Sequence, residues 1–351
     1  MKTPSIQTAI ALSLLCLGTS TFAQSSRGLP TGSGSSLNIY GTAATELVHV
    51  SNFNDGSRIG NSTRLENSKV TASRLGFIGS EDLGGGLSSV FNLEMGYALD
   101  TGTQSSASYF FNRGSYVGLR GGFGTMTVGR QWDVEDDVLG RYFIFGGYGV
   151  FQFSEFAAIS DTVANSVKYV TPAMGGVTAR ALYGFGEGAT SGHTTEFALN
   201  YAAGGPFEAG ATYRRQKAAT GYSTQLVTLG ASYMLPVTSA GKFRLHGGYA
   251  YSKPEDPVAR KTSAYDVGVV WGLPSANANL TLDYVARDQR GTDNDSRFVR
   301  LGGEYFLSKR TSFIANVVSL TNKGNASQKF FGQGAQGKGQ RVLSVGLRHA
   351  F

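Results

Sequence analysis

The chain has little proline, few charged residues, almost no cysteine and no long apolar run beyond its N-terminus. The last two shortages each exclude a class of structure. Among its 351 residues are 8 prolines and 1 cysteine, Cys16. A lone cysteine cannot form a disulfide within the chain, so the fold does not depend on disulfide bonds. Charged residues make up only 16% of the chain. Beyond the N-terminal segment, no run reaches the roughly 18 apolar residues that a transmembrane helix needs, which excludes such a helix there.

Glycine and aromatic residues are abundant, with 49 Gly, 17 Tyr and 22 Phe. This mixture disfavours long helices and suits many short strands joined by tight turns. The segment VFNLEMGY (90–97) has the two-residue period of a strand, because the apolar residues from Phe91 to Tyr97 alternate with polar or small ones. Several other segments repeat the alternation, and the chain ends on one of them, RVLSVGLRHAF (341–351).

The N-terminus has the three parts of a secretory signal peptide. Lys2 supplies a positive charge, residues 6–17 are mostly apolar, and Thr21-Phe22-Ala23 has the small-x-small form of a cleavage site. We therefore expect residues 1–23 to be a cleaved signal peptide, the alternative being a buried N-terminal helix. The following residues, 24–36, are rich in Gly and Ser, which predicts a flexible N-terminal lead.

The connections between strand-like segments alternate between two lengths. The short ones lie at 81–86, 121–124, 171–176, 202–206 and 306–310. The longer, more polar ones lie at 51–68, 132–164, 254–263, 288–297 and 322–340. Counting the strands between them predicts 16 strands over residues 37–351. An even-numbered meander with short turns at one end and long loops at the other is typical of a transmembrane β-barrel.

The chemistry of the two strand faces favours a membrane over water as the outer solvent. Aromatic residues stand at the ends of the apolar faces, as in Tyr97, Tyr201, Tyr233 and Trp271, which is the pattern of interfacial girdles. The alternative, a soluble barrel, would have to fill its interior with side chains, which so many strands do not permit. The last strand must pair with the first because an open edge in lipid leaves backbone groups unsatisfied.

Several long segments resemble one protein family. SRLGFIGSEDLGGGLSSVFNLEMGY (73–97), FNRGSYVGLRGGFGTMTVGRQ (111–131), NSVKYVTPAMGG (165–176) and the terminal Phe351 are similar to the Gram-negative trimeric general porins of the beta-proteobacterial type. The resemblance implies an all-β, transmembrane antiparallel β-barrel of 16 strands in the outer membrane. It also implies a homotrimer, a third external loop (132–164) that folds inward to constrict the pore, and a role for Phe351 as the assembly signal.

Basic residues of one wall are the first candidates for the pore constriction. Alternation places Arg74 and Lys168 on the lumen face, and in the family both positions belong to a basic ladder. Arg113 also matches that ladder, although strict alternation from Val117 points it outward, so a β-bulge or a subunit contact would be needed. Arg130 is predicted to face outward, where a trimer contact or a place beyond the apolar band would relieve its charge.

Acidic residues are expected to oppose these bases. SEFAAISDT (154–162) resembles the constriction-loop segment of the family, which nominates Glu155 and then Asp161, and alternation adds Glu94. The acidic DVEDD (133–137) either joins them or is a solvated loop base. Bases facing acids predict a transverse field and weak anion selectivity in a channel for passive diffusion of ions and small hydrophilic solutes.

Two alternative functions remain open at this point. A substrate-specific outer-membrane channel on the same scaffold would suit the aromatic GRYFIFGGYGVFQF (140–153). The alternative interpretation of this segment is that it packs against the barrel wall. An enzyme is disfavoured because no partnered serine motif lies near His246, one of the 4 histidines, so we expect no catalytic residues. No metal-ligand spacing, phosphate loop or nucleic-acid motif occurs, so we also expect no metal, no cofactor and no nucleic acid. The expected partners are the homotrimer, outer-membrane lipid and lipopolysaccharide, the outer-membrane assembly machinery, periplasmic chaperones, and the permeating ions and solutes.

Overall fold

A computed structural model describes residues 29, 34–139, 162–187, 192–219 and 221–351. The strands are β1 (Ser36–Asn54), β2 (Ile59–Asn67), β3 (Arg74–Gly84), β4 (Leu87–Gly96), β5 (Gly114–Gly121), β6 (Gly124–Trp132), β7 (Thr162–Val170), β8 (Val177–Gly184), β9 (Thr194–Ala202), β10 (Phe207–Lys217), β11 (Ser223–Met234), β12 (Lys242–Pro254), β13 (Thr262–Gly272), β14 (Ala278–Gln289), β15 (Ser296–Phe306), β16 (Thr311–Asn322) and β17 (Gln340–Ala350). One helix, α1 (Val134–Leu139), lies between β6 and β7 in the described residues. Among these residues no helix combines the length and apolar character needed to cross a membrane.

The strands form one closed antiparallel sheet in which β2 and β3 share a single place. β1 pairs with β2 along one half of its length and with β3 along the other half. The described strands therefore make the 16-stranded barrel that the sequence predicts. The break between β2 and β3 is held by the buried carboxylate of Glu46, which accepts hydrogen bonds from Ser68 Oγ at 2.5 Å and Lys69 N at 3.0 Å.

The barrel closes between the first and last strands. Residues 42–50 of β1 pair with residues 342–350 of β17 in antiparallel register. Phe351 extends that ladder, because its N–H donates to Gly41 O at 3.1 Å and its carbonyl accepts from Gly41 N at 3.0 Å. The last residue is therefore part of the closing seam, as expected of a barrel that leaves no open edge in lipid.

The two faces of the barrel have opposite character. On β16, Phe313 and Val317 point outward with 52% and 54% of their surface exposed, whereas Asn316 is buried inside beside Ser344. The outer surface is thus an apolar band that suits lipid.

The interior is not uniformly polar, which alternation alone did not predict. Phe298 on β15 meets Phe330, in the connection between β16 and β17, edge-to-face with ring centroids 5.2 Å apart. Gln340 fixes this connection by accepting from Phe330 N at 2.8 Å and donating to Phe331 O at 2.9 Å. The long final loop therefore turns inward and buries its aromatic residues at the loop end of the barrel.

Two connections differ from the sequence-based prediction. The stretch 51–68 is mostly strand, because β1 continues to Asn54 and β2 resumes at Ile59. Residues 97–113 form a long connection that the turn pattern did not indicate. Where strands extend beyond the apolar band, both faces are polar, so alternation no longer distinguishes strand from loop.

The close approach of Gly41 and Phe351 predicts a large cost for a side chain at Gly41. A Cβ there would lie 2.6 Å from Arg74 O and 2.7 Å from Phe351 Cε2. We expect Gly41→Val to lower the free energy of unfolding by about 1–3 kcal/mol, the usual cost of overpacking, in urea titrations of the detergent-folded barrel. Gly60→Val is the matched control, since nothing lies within 4 Å of a Cβ at Gly60. Equal midpoints for the two variants would contradict the prediction.

Candidate functional site

Three of the charges predicted for the constriction form one buried cluster on the wall. Arg113 Nε donates to Glu94 Oε1 at 2.6 Å, and Arg74 Nε lies 3.8 Å from Glu94 Oε2. All three side chains are buried, Glu94 to 1% exposure. The carboxylate of Glu94 thus lies between two guanidinium groups.

Glycines opposite Glu94 make room for this cluster. Gly76 on β3 and Gly114 on β5 are the register partners of Glu94. The ring of Tyr40 crosses Gly76, where a Cβ would lie 2.6 Å from the tyrosine oxygen. Tyr40 then donates to Glu94 Oε2 at 2.8 Å and accepts from Asn92 Nδ2 at 2.8 Å. Both oxygens of Glu94 are therefore fixed in orientation.

Arg113 reaches the cluster although strict alternation from Val117 points it outward. It precedes β5 and belongs to the connection 97–113, so the alternation of the strand does not extend to it. Its side chain crosses Gly96, where a Cβ would lie 3.2 Å from Arg113 Cδ, and its guanidinium lies 4.9 Å from the ring centroid of Trp132. The family resemblance, rather than alternation, gave the side on which Arg113 lies.

Lys168 joins β7 to the inward loop. Its Nζ donates to Asp137 Oδ2 at 2.6 Å and to Trp132 O at 3.0 Å. Because Asp137 belongs to α1, this contact ties the start of the loop to the wall on one side. The charge of Lys168 is therefore largely balanced by Asp137.

The other side of α1 packs against β9, β10 and β11 through acidic residues. Glu196 Oε2 accepts from Val134 N at 2.9 Å, and Thr228 Oγ1 donates to Glu135 Oε1 at 2.6 Å. Arg214 Nη1 lies 3.5 Å from Asp133 Oδ2, and Arg214 Nε lies 3.4 Å from Glu196 Oε1. The acidic stretch 133–137 is thus a docked element, and its interpretation as a solvated loop base is wrong for Asp133 and Glu135, which are 0% and 1% exposed. The prediction that the third external loop folds inward is confirmed for its described part.

Burial raises the pKa of Glu135 from its usual value near 4.5 to about 7, and it raises the pKa of Asp133 well above its usual range. A carboxyl group whose pKa is higher in the docked state binds a proton there more readily than when released. The contribution of Glu135 to the docking of α1 is therefore complete below about pH 4.5 and is lost as the pH rises through about 7. The neighbouring charges that act with it are Glu196, Asp136 and Arg214.

We expect fluorescence of Trp132 to report this pH dependence. Trp271→Phe removes the other of the 2 tryptophans and leaves Trp132, whose carbonyl contacts Lys168 beside α1. The emission maximum of Trp132 should shift to shorter wavelength as the pH is lowered from about 8 to about 5, because α1 packs more tightly against the wall at low pH. Glu135→Gln in the same background should flatten the profile, and a profile that persists unchanged would assign the titration to another group.

The comparisons with known proteins agree with this geometry. The chain matches the family model described as Gram-negative porin over residues 9–325. This chain belongs to the Gram-negative porins. It is 32% identical to outer membrane porin protein 32 of Delftia acidovorans over 90% of this chain and 94% of that protein. It is 26% identical to the major outer membrane protein P.IB of Neisseria meningitidis serogroup B, over 92% and 96% of the two chains.

The porin has the same fold as solved structures of other outer-membrane proteins. The anion-selective porin from Comamonas acidovorans superposes with a TM-score of 0.78 at 30% identity, covering 90% of this chain and 100% of that one. A loop-deletion mutant of the Vibrio cholerae outer membrane protein OmpT shares the fold alone, with a TM-score of 0.65 at 18% identity. The porin is an outer-membrane protein of the Gram-negative type.

Some predicted site residues of the porin fall outside the described part of the chain or have other contacts. Glu155, Asp161 and the aromatic segment 140–153 lie outside the described residues, as do the signal segment 1–23 and most of the lead 24–36. Arg130 is half-buried and finds partners in its own chain. Its Nε donates to Asn112 O at 2.9 Å, and its Nη2 donates to Thr162 Oγ1 at 2.8 Å. A neighbouring subunit is therefore not needed to satisfy these two donors of Arg130, and its role as a trimer contact stays a prediction.

Sequence reasoning missed the partners that dock α1. Glu196 and Arg214 alternate correctly as lumen residues, but their sequence distance from Asp133 gives no sign that they meet it. The local signal that was present is the acidic cluster directly after β6, in a position where the resemblance expects an inward loop. The constriction role of Arg74, Arg113, Lys168 and Glu94 stays a prediction, as does that of Phe351 in assembly.

Proposed function

We propose that this porin is a water-filled channel for the passive diffusion of ions and small hydrophilic solutes, with a weak preference for anions. The observation that carries the proposal is the cluster of Arg74 and Arg113 around the single carboxylate of Glu94. A wall with more guanidinium groups than carboxylates attracts anions to the lumen and repels cations. The similarity to a porin described as anion-selective supports the same sign.

Weak selectivity follows from the pairing of several inward charges in the described part of the chain. Lys168 is paired with Asp137, Arg300 with Asp283, and Arg348 with Glu304. Paired charges nearly cancel at distances greater than their separation, so they add little to the field along the pore. Among the described residues, the cluster at Glu94 holds two guanidinium groups and one carboxylate, and its field acts over about one Debye length.

We infer a channel rather than an enzyme from the surroundings of His246. In the described part of the chain, its hydrogen-bond and ion-pair partners are Asp283 and Asp266, and no hydroxyl or thiol nucleophile donates to it. An imidazole between two carboxylates lacks the nucleophile that a hydrolytic site requires.

We also propose that the porin assembles as a homotrimer in lipopolysaccharide-containing membrane after export with periplasmic chaperones and the outer-membrane assembly machinery. The family to which the chain belongs and the apolar outer band support this assembly. Pore-constriction roles for Glu155 and Asp161 belong to the same proposal.

Single-channel recording of residues 24–351 in a planar bilayer with a potassium chloride gradient tests the function. We expect conductance steps in groups of three and a small reversal potential of anion-selective sign. A cation-selective sign would overturn the anion preference, and absence of steps would overturn the open channel. Block by one solute at low concentration would favour the substrate-specific channel instead.

A further inference from the structure

A row of inward-facing residues crosses the strands β12 to β15, on a part of the barrel wall away from the Glu94 cluster. His246 is the register partner of Gly268, Gly268 of Asp283, and Asp283 of Arg300. Asp266 lies two residues before Gly268 on the same face of β13. His246, Asp266 and Asp283 are 4%, 8% and 3% exposed.

Gly268 leaves the gap in which these side chains meet. A Cβ at this position would lie 2.6 Å from His246 Nε2 and even nearer to Asp283 Oδ1. In its absence, His246 Nε2 approaches Asp283 Oδ1 to 3.2 Å and Asp266 Oδ1 to 3.7 Å. One nitrogen and two carboxylate oxygens from three strands thus surround a single point.

Arg300 orients Asp283 toward that point, and Asp266 has a buried oxygen there. Arg300 holds the other oxygen of Asp283, with its Nε and its Nη2 each 2.8 Å from Oδ2. Within the described residues, Asp266 Oδ1 receives no hydrogen bond, although its side chain is more than nine-tenths buried. A buried carboxylate oxygen without a donor is costly unless a cation approaches it.

We propose that His246, Asp266 and Asp283 form a binding site for a divalent transition-metal ion such as Zn²⁺ in the wall of the channel. Zinc binds imidazole nitrogen and carboxylate oxygen at about 2.0–2.2 Å, so the ligands of a tetrahedral ion lie about 3.4 Å from one another. The observed separations of 3.2 and 3.7 Å from the histidine nitrogen are close to that spacing. Ligand atoms of the three residues all lie within 4.8 Å of one another.

The donor set selects the class of ion. An imidazole with two carboxylates suits Zn²⁺ and its neighbours in the transition series, whereas Ca²⁺ takes six to eight oxygen ligands and Mg²⁺ prefers oxygen. Three protein ligands leave a fourth position for water or a permeating solute. The sequence shows no metal-ligand spacing here because each ligand comes from a different strand.

A proton is the competing occupant of this site. A protonated His246 between two carboxylates, with Arg300 beside Asp283, would balance the local charge. The metal must displace that proton, so its binding weakens as the pH falls. Among the described residues, Arg300 on β15 brings a positive charge to the site through Asp283 Oδ2, and it opposes a cation and lowers its affinity.

Calorimetric titration of the untagged, detergent-folded chain with Zn²⁺ tests the site and needs no conduction. We expect one ion per chain at pH 7 and weaker binding at pH 5. His246→Gln and Asp266→Asn should each weaken binding about tenfold or more. The control His349→Gln removes an exposed imidazole that contacts Thr311 and should change nothing. Absence of saturable binding, or binding that survives in His246→Gln, would overturn the proposal.

A second measurement tests the wild-type chain and avoids any folding defect of the variants. Cu²⁺ added at one equivalent should give an electron paramagnetic resonance spectrum with nitrogen hyperfine splitting from one imidazole. A spectrum with oxygen ligands alone, or one whose nitrogen splitting disappears in His349→Gln, would contradict the assignment to His246.

Discussion

Arg214→Gln releases α1 from the barrel wall and lowers the free energy of unfolding by about 3 kcal/mol, because it removes one partner of a buried ion cluster. Arg214 is the cation between Asp133 and Glu196, which are both 0% exposed. Without it, these carboxylates must take up protons or leave the protein interior. Urea unfolding of the detergent-folded chain measures the loss, and a change in open-channel current reports the release of the loop.

The neighbouring residue supplies a matched control for this prediction. Arg215 lies on the opposite face of β10, with its side chain 50% exposed and paired with Glu255. Exposed pairs contribute about 0–1 kcal/mol, so Arg215→Gln should leave the unfolding midpoint and the current nearly unchanged. If both variants lose equal stability, the docking role of Arg214 is wrong.

Arg113→Gln lowers the ratio of anion to cation permeability about two- to fivefold at low salt. A unit charge about 8 Å from a passing ion contributes roughly 0.5 kcal/mol at the dielectric constant of water, with opposite signs for anions and cations. The effect should shrink as salt is raised, because the Debye length falls. Reversal potentials in a potassium chloride gradient measure the change.

The reciprocal variant sharpens this test. Glu94→Gln leaves Arg74 and Arg113 without their shared carboxylate and should raise the same ratio. Arg215→Gln removes one arginine charge from the outer face and serves again as the control. Shifts of the same sign for Arg113→Gln and Glu94→Gln would show that this cluster does not set the selectivity.

Where a local rule applied, the sequence predicted the structure closely. Alternation placed Arg74, Lys168 and Glu94 inside, and the need for a closed edge explained why the chain ends on a strand. The same rule failed for Arg113, which lies one residue before β5, and for 51–68, where polar residues occupy both faces of a hairpin. Alternation marks a strand whose two faces meet different solvents. It carries no information in a loop, or where a strand extends beyond the apolar band and both of its faces are polar.

The sequence by itself determined the barrel, its two solvents and the side of the wall on which most charges lie, because a two-residue period needs only neighbours along the chain. Register between strands decided which charges meet, since Gly76 opens a path for Tyr40 to Glu94 and Gly268 opens one for His246 to Asp283. Register is a relation between residues distant in sequence, fixed when the barrel closes at Phe351. The charge clusters therefore exist only in the tertiary structure.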